Sequence, residues 1–315
     1  MERVSPWALG ATLYLPATRL DIVEVIRGEK VPGLRSLVIC LEDSVAATDV
    51  DHALQSLRAV LTAIGSRDNR PQRSPLVFVR PRDSDMAAVL NGWPEITAAH
   101  GFVVPKLSLS SLGHWVRAVT NPELLLMPTL ETSDVYSPGS MVELGSALRS
   151  ELGDRILALR IGGNDLMSCL GLRRNPATTL YQTPMAYVIP MLAGVLGAQG
   201  FALTAPVFEQ LATPQLFKEE LELDIAHGLV GKTAIHPSQI ALIHDGFRVP
   251  LEDYNCAKLI VDGSAPAVFK HNDAMVEPAT HYNWAVNIIE RGKWHGVKPA
   301  EAGITEPVRL AERSG

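Results

Sequence analysis

The chain has 315 residues, 47% of them hydrophobic and 20% charged, with a formal net charge of -6. That balance suits a globular protein with one large α/β domain of about 250 residues plus an appendage; it excludes a disordered chain and disfavours nucleic acid as a partner. Cys40, Cys169 and Cys256 are odd in number and far apart, so they read as reduced core thiols, not as a disulfide framework or a C-x-x-C site.

The first residues, Met1 to Gly10, include Glu2, Arg3 and Pro6 and lack the continuous apolar stretch of a secretory signal, which predicts a cytoplasmic protein. Short β-rich runs then recur about every 25 to 40 residues, with helix-length stretches between them. Strands are expected at Ala11–Leu15, Ser36–Leu41, Leu76–Val79, Phe102–Val104, Leu124–Met127, Ile156–Ile161, Phe201–Thr204 and Lys232–Ile235. Their hydrophobicity is continuous, as in Ser36-Leu37-Val38-Ile39-Cys40-Leu41, which fits parallel strands covered on both faces. The economical solution is an α/β fold of the (β/α)8 TIM-barrel type, with an open doubly wound sheet as the alternative.

Helical apolar spacing marks Val50–Ile64, with Asp49 as its N-cap, and Gly139–Leu152. The longest apolar stretch, Met191–Phe208, is broken by Gln199, by glycines and by Pro206. It reads as a buried helix running into a strand, not as a membrane span. Past Pro250 the pattern changes to a helix from Leu251 to about Asp262, a turn at Gly263–Pro266 and a second helix from about Pro278 to Arg291. Residues 1–249 are thus expected to form the barrel domain and residues 250–315 a C-terminal helical arm or lid.

Functional groups of such a barrel sit just past the C-terminal ends of its strands, where the loops open onto one face. That rule selects Glu42, Asp43, Arg80, Lys106, Glu131, Asp165 and His236. Carboxylates clustered in this way need compensation, and a hard divalent cation supplies it. Glu131 and Asp165, after neighbouring strands, are candidate oxygen ligands of Mg2+, with water and substrate filling the other positions; capping of the following helices is the competing role. The planar fork of Arg80 suits a substrate carboxylate, or an ion pair with Glu42 or Asp43. Lys106 could form a Schiff base with a keto acid, but neighbouring carboxylates would hold it protonated as an electrostatic stabiliser. His236 fits a structural role as well as a catalytic one. Arg173 and Arg174 are candidates to grip a substrate phosphate or carboxylate, against the simpler reading of a solvated loop. Gly228 to Thr233 only superficially resembles a phosphate loop, because its lysine begins a strand instead of following one.

Read together and in order, Leu13-Tyr14-Leu15-Pro16, Leu41-Glu42-Asp43-Ser44-Val45, Val79-Arg80, Val104-Pro105-Lys106, Glu131-Thr132, Ile161-Gly162-Gly163-Asn164-Asp165-Leu166 and Gly231 to Gln239 resemble the HpcH/HpaI aldolase and citrate lyase β-subunit family. The likeness runs from about Leu13 to about Ala285. It implies a metal-dependent barrel enzyme that cleaves citryl-CoA, malyl-CoA or related 3-hydroxyacyl compounds. It also implies that Glu131 and Asp165 hold Mg2+, that Arg80 holds an oxo-acid carboxylate, and that Glu42, Asp43 and Lys106 form the surrounding network. The partner is then a small carboxylate or acyl-CoA, and the chain a homo-oligomer, trimer or hexamer. Cys40 departs from the family's usual Asp-Leu-Glu-Asp. In the lid, Asp273-Ala274-Met275-Val276-Glu277 replaces the usual Gly-x-Met-Ile/Val-Asp and puts Glu277 where the family carries a base that reaches a neighbouring protomer. These departures leave open whether coenzyme A is part of the substrate. They also leave an aldolase on a free acid, a thioesterase on the same barrel, and a carrier-dependent or non-catalytic subunit as alternatives.

Overall fold

The computed structural model describes residues 4–71 and 74–299. They fall into two compact units, one ending at Phe247 and the other beginning at Arg248.

In the first unit eight strands alternate with helices. The strands are β1 (Gly10–Pro16), β2 (Ser36–Cys40), β3 (Leu76–Arg80), β4 (Gly101–Val104), β5 (Leu125–Leu130), β6 (Leu159–Ile161), β7 (Leu203–Thr204) and β8 (Gly231–Ala234). The helices are α1 (Ile22–Ile26), α2 (Val50–Ile64), α3 (Ser84–Asn91), α4 (Leu109–Ala118), α5 (Pro138–Glu151), α6 (Gly163–Cys169), α7 (Met185–Gly197), α8 (Pro214–Ala226) and α9 (Ser238–Gly246). All the ladders between these strands are parallel, in the order β7-β6-β5-β4-β3-β2-β1-β8. Ala205 closes the circle, donating its N–H to Gly231 O at 2.7 Å and accepting from Thr233 N at 3.3 Å. This is a TIM barrel, not an open sheet.

Alternation along each strand divides the core in two. In β2, Leu37 and Ile39 join the apolar layer under the helices, whereas Val38 packs inside the barrel with Phe78, Val103, Met127 and Ala158. Helix α2 buries Ala53, Leu57, Val60 and Leu61, one stripe of a 3.6-residue period. Asp49 stands at its N-cap without making the capping bond; its carboxylate accepts from Thr48 instead, at 3.3 Å. Gly101 is required where β4 meets β5, since a Cβ there would lie 1.8 Å from the backbone oxygen of Leu125. The sixth and seventh strands are shorter than their hydrophobic runs suggested. Met191–Phe208 divides into the end of α7, all of β7 and the loop after it, and among the described residues no helix is long and apolar enough to cross a membrane. Cys40 and Cys256 are buried thiols, but Cys169 is exposed on α6, contrary to expectation.

The second unit contains helices α10 (Leu251–Val261) and α11 (Pro278–His295), which share an apolar cluster of Cys256, Ala257, Ile260, Ala285 and Ile288. Between them lies an antiparallel hairpin, β9 (Phe269–His271) and β10 (Ala274–Val276), that the hydrophobic period did not reveal. Its two-residue turn, Asn272 and Asp273, has φ of 46° and 60°, the left-handed pair that matches strand twist in a tight hairpin.

His100, just before β4, accepts the Val77 N–H on Nδ1 at 2.9 Å. Burial, with Arg70 and Arg67 nearby, pushes its pKa from 6.5 down to about 4. The unfolded chain therefore takes up this proton first, so the contribution of neutral His100 is complete above about pH 6.5 and is lost as pH falls toward about 4, at no more than about 1.4 kcal/mol per unit. Urea titrations at pH 7 and 4.5 should show wild type losing about 2 kcal/mol more than His100→Gln, whose amide oxygen can still accept the Val77 N–H.

Candidate active site

The ends of β2 to β6 bring the expected charges to one place. Arg80, the last residue of β3, donates from Nη2 to Glu131 Oε1 at 3.0 Å, and the same nitrogen lies 2.9 Å from Glu42 Oε2 and 3.6 Å from Asp43 Oδ2. Lys106 Nζ donates to Glu42 Oε1 at 2.9 Å and stands 3.7 Å from Asp43 Oδ1. The Lys106 backbone has φ of 47°, unusual for a residue with a side chain. In that conformation its N–H donates to Glu131 Oε1 at 2.8 Å. Glu131 thus spends one oxygen on Arg80 and Lys106, while Oε2 accepts no hydrogen bond among the described residues.

Glu131 lies directly against the chain that follows β6. A Cβ on Gly162 would come 2.4 Å from Glu131 Cβ and 2.6 Å from Oε2, so the carboxylate occupies space that any other residue at 162 would fill. Asp165, half-buried on the first turn of α6, follows three residues later. Its charge acts on both Glu131 and Lys106.

Burial raises the pKa of Glu131 to about 7 despite Arg80, and Asp165 and Glu42 add to the rise. Burial also raises Glu42 above the ordinary carboxylate range. The hydrogen bond from Lys106 to Glu42 raises the lysine further above its usual value, so its side chain is an ammonium. Four carboxylates, Glu42, Asp43, Glu131 and Asp165, face two cations, Arg80 and Lys106. Fully ionised, the cluster has an excess of two negative charges. A divalent cation at Glu131 Oε2 and Asp165 would cancel that excess. Among the described residues no group of three or more His, Cys, Asp or Glu side chains is arranged to hold a metal. An ion bound through two carboxylates would therefore keep most of its positions for water and substrate, the preference of Mg2+ and not of a closed structural site.

Not every candidate belongs to this cluster. Arg174 is 5% exposed and committed elsewhere: Nε lies 2.6 Å from Glu209, Nη2 donates to Val207 O at 2.8 Å, and Nη1 pairs with Glu220. Glu220 also pairs with Lys232, which pairs in turn with Asp224. Arg174 is neither a substrate grip nor part of a solvated loop; it ties the segment after α6 to the loop after β7. Arg173 is exposed, and so is His236, whose Nδ1 shares a 2.8 Å hydrogen bond with Ser238 Oγ. Glu277, in the second unit, is exposed at the N-cap position of α11. One residue at the mouth escaped the strand-end rule. Tyr14 of β1 is half-buried inside the barrel; burial raises its phenol pKa while the charges of Arg160 and Arg80 pull it back. It lies within its strand and not after it, so the rule passed over it.

The carbon–carbon bond lyase family of the TIM-barrel fold matches residues 3–297 of this sequence. The chain belongs to it. The chain is 28% identical over 282 residues to a citrate lyase subunit beta-like protein of Deinococcus radiodurans, covering 85% of this chain and 90% of that one. It is 26% identical over 238 residues to a (3S)-malyl-CoA thioesterase of Cereibacter sphaeroides, covering 75% and 76%. The fold matches the CitE protein of Mycobacterium tuberculosis, solved with magnesium, acetoacetate and coenzyme A, with a TM-score of 0.65 at 20% identity over 91% of this chain and 99% of that one.

Arg80→Met would leave Glu42 and Glu131 buried without their shared cation. Loss of one partner from a buried ion pair costs about 3 to 5 kcal/mol, and urea titration at pH 8 should show a loss of that order. At pH 5.5, where Glu131 is largely protonated in the fold, the penalty should shrink, and adding Glu131→Gln should recover part of it at pH 8.

Proposed function

We propose that this protein is a Mg2+-dependent lyase that breaks the carbon–carbon bond of a carboxylated 3-hydroxyacyl compound, of the citryl-CoA or malyl-CoA kind. The observation that carries the reading is four carboxylates gathered around two cations at the strand ends, with Glu131 Oε2 accepting no hydrogen bond among the described residues and the charge of Asp165 acting on Glu131. The magnesium, acetoacetate and coenzyme A bound to the mycobacterial CitE protein and the malyl-CoA named for the Cereibacter relatives support the metal and the substrate class.

Glu131 and Asp165 are the residues that would hold Mg2+. The bound ion would act as a Lewis acid on the carbonyl oxygen of the oxo-acid half. Arg80 keeps Glu131 oriented through Nη2, and its Nη1 remains to receive the substrate carboxylate. Glu42 fixes Arg80 and Lys106 in place. The Lys106 ammonium, half-exposed, stabilises negative charge on the substrate. For cleavage a base removes the proton of the 3-hydroxyl, the oxygen becomes a carbonyl as the C2–C3 bond breaks, and the released electron pair passes to the carbon beside the acyl carbonyl, which is then protonated. Glu277 is our candidate for that base, brought to the mouth from a neighbouring protomer of a homo-oligomer; its carboxylate makes no hydrogen bond among the described residues.

Calorimetry should show Mg2+ binding by the wild-type chain and at least a hundredfold loss in Asp165→Ala with the fold retained. Incubation with citryl-CoA, malyl-CoA and the corresponding free acids, followed for oxaloacetate, glyoxylate and acyl-CoA products, should show Mg2+-dependent carbon–carbon cleavage of a CoA thioester into an oxo acid and a shorter acyl-CoA. Release of the free thiol without an oxo acid would make the enzyme a thioesterase, and cleavage of free acids alone would make it an aldolase.

With the metal supplying the electrophile, borohydride added in the presence of pyruvate or oxaloacetate should leave the mass of the protein unchanged. A mass increase mapped to Lys106 would place the enzyme in the Schiff-base class.

A further inference from the structure

The barrel interior holds a cation that the active site does not use. Arg160, in the middle of β6, is 1% exposed. Among the described residues its guanidinium meets only neutral groups. Nη2 donates to Thr233 Oγ1 at 2.6 Å and Nη1 to Thr12 Oγ1 at 3.5 Å; Met127 Sδ lies 3.9 Å from Nη1, and the Tyr14 ring centroid is 5.3 Å away. Its Nε, also buried, has no partner.

Two further orphans stand beside it. Thr129 of β5 and Thr204 of β7 are the register partners of Arg160 on either side. They are 4% and 1% exposed, and the Oγ1 of each is buried without a hydrogen bond. Residues side by side in a parallel ladder point to the same face, and alternation from Met127, which touches Arg160, puts Thr129 inside the barrel. Three unfilled polar groups therefore share one row of three adjacent strands, with an uncompensated positive charge in the centre. Buried polar groups are rarely left unbonded, and a lone buried charge is costlier still.

A water molecule can satisfy the hydroxyls but brings no charge. A substrate carboxylate brings charge, but the exposure of Arg160 leaves it no route in. We propose that a chloride-sized monovalent anion sits inside the barrel, accepting from Arg160 Nε and from the hydroxyls of Thr129 and Thr204. It is a structural site beneath the catalytic mouth, and it does not depend on the assignment of the reaction.

The test uses the full chain. Crystals grown in bromide should show an anomalous peak in contact with Arg160 Nε, Thr129 Oγ1 and Thr204 Oγ1. Because a ligand of the folded state alone stabilises it by mass action, Tm should rise by several degrees from sodium gluconate to sodium chloride at equal ionic strength. Thr204→Val, which keeps the shape and removes the hydroxyl, should lose at least half of that rise, and Arg160→Met all of it. Should Arg160→Met fail to fold, Thr129→Val joins Thr204→Val in its place. Bromide only at the surface, water density without anomalous signal in the row, or a chloride response unchanged in the threonine variants would each overturn the proposal.

Discussion

A single nitrogen of Arg80 stands within 3.0 Å of both Glu42 and Glu131, and the architecture of the mouth depends on that sharing. Neither carboxylate is exposed enough for water to carry its charge, so each needs the guanidinium. Burial raises the pKa of both Glu131 and Glu42, and the shared guanidinium offsets only part of that rise. Glu42, with Asp43 and Asp165, holds Lys106 charged. With all four carboxylates ionised the cluster carries more negative than positive charge, and Glu131 Oε2 accepts no hydrogen bond among the described residues.

The surrounding chain is shaped to keep that arrangement rigid. Gly162 lets the β6 turn press against Glu131, and the left-handed backbone of Lys106 aims an N–H at the same oxygen that Arg80 uses. Around the rim, Arg174 ties the loop after β7 on one side, and Gln239 ties it on the other by donating to Phe208 O at 2.7 Å. Buried charge therefore does two different jobs here. At the strand ends carboxylates outnumber the cations, whereas behind the loops Arg174, Glu220, Lys232 and Asp224 neutralise one another and fasten the frame.

The eight strands could be read from the sequence because parallel strands are covered on both faces, so their hydrophobicity is continuous and bounded by polar stretches. The strand-end rule also selected Glu42, Asp43, Arg80, Lys106, Glu131, Asp165 and His236; all but the exposed His236 share one charge cluster. Boundaries were less legible where pairing is intermittent. The run before β6 keeps only an isolated bridge from Ile156 to Leu126, and β7 is two residues long. The hairpin of the second unit depends on two left-handed residues, neither a glycine, and no hydrophobic period announces it.

What the sequence determined by itself was the kind of fold and the inventory of charges at its mouth, because both follow from local periodicity and strand order. Which charges pair was decided by tertiary structure alone. Arg173 and Arg174 are neighbours in sequence, yet one is exposed and the other enclosed among carboxylates contributed by residues 209 and 220. Arg160 differs from Arg80 in the same way: both stand in apolar strands, but only register and barrel closure put one at the rim beside two glutamates and the other inside among threonines. Electrostatic partners lie tens of residues apart in the chain, and their distances are set by packing, which no local pattern encodes.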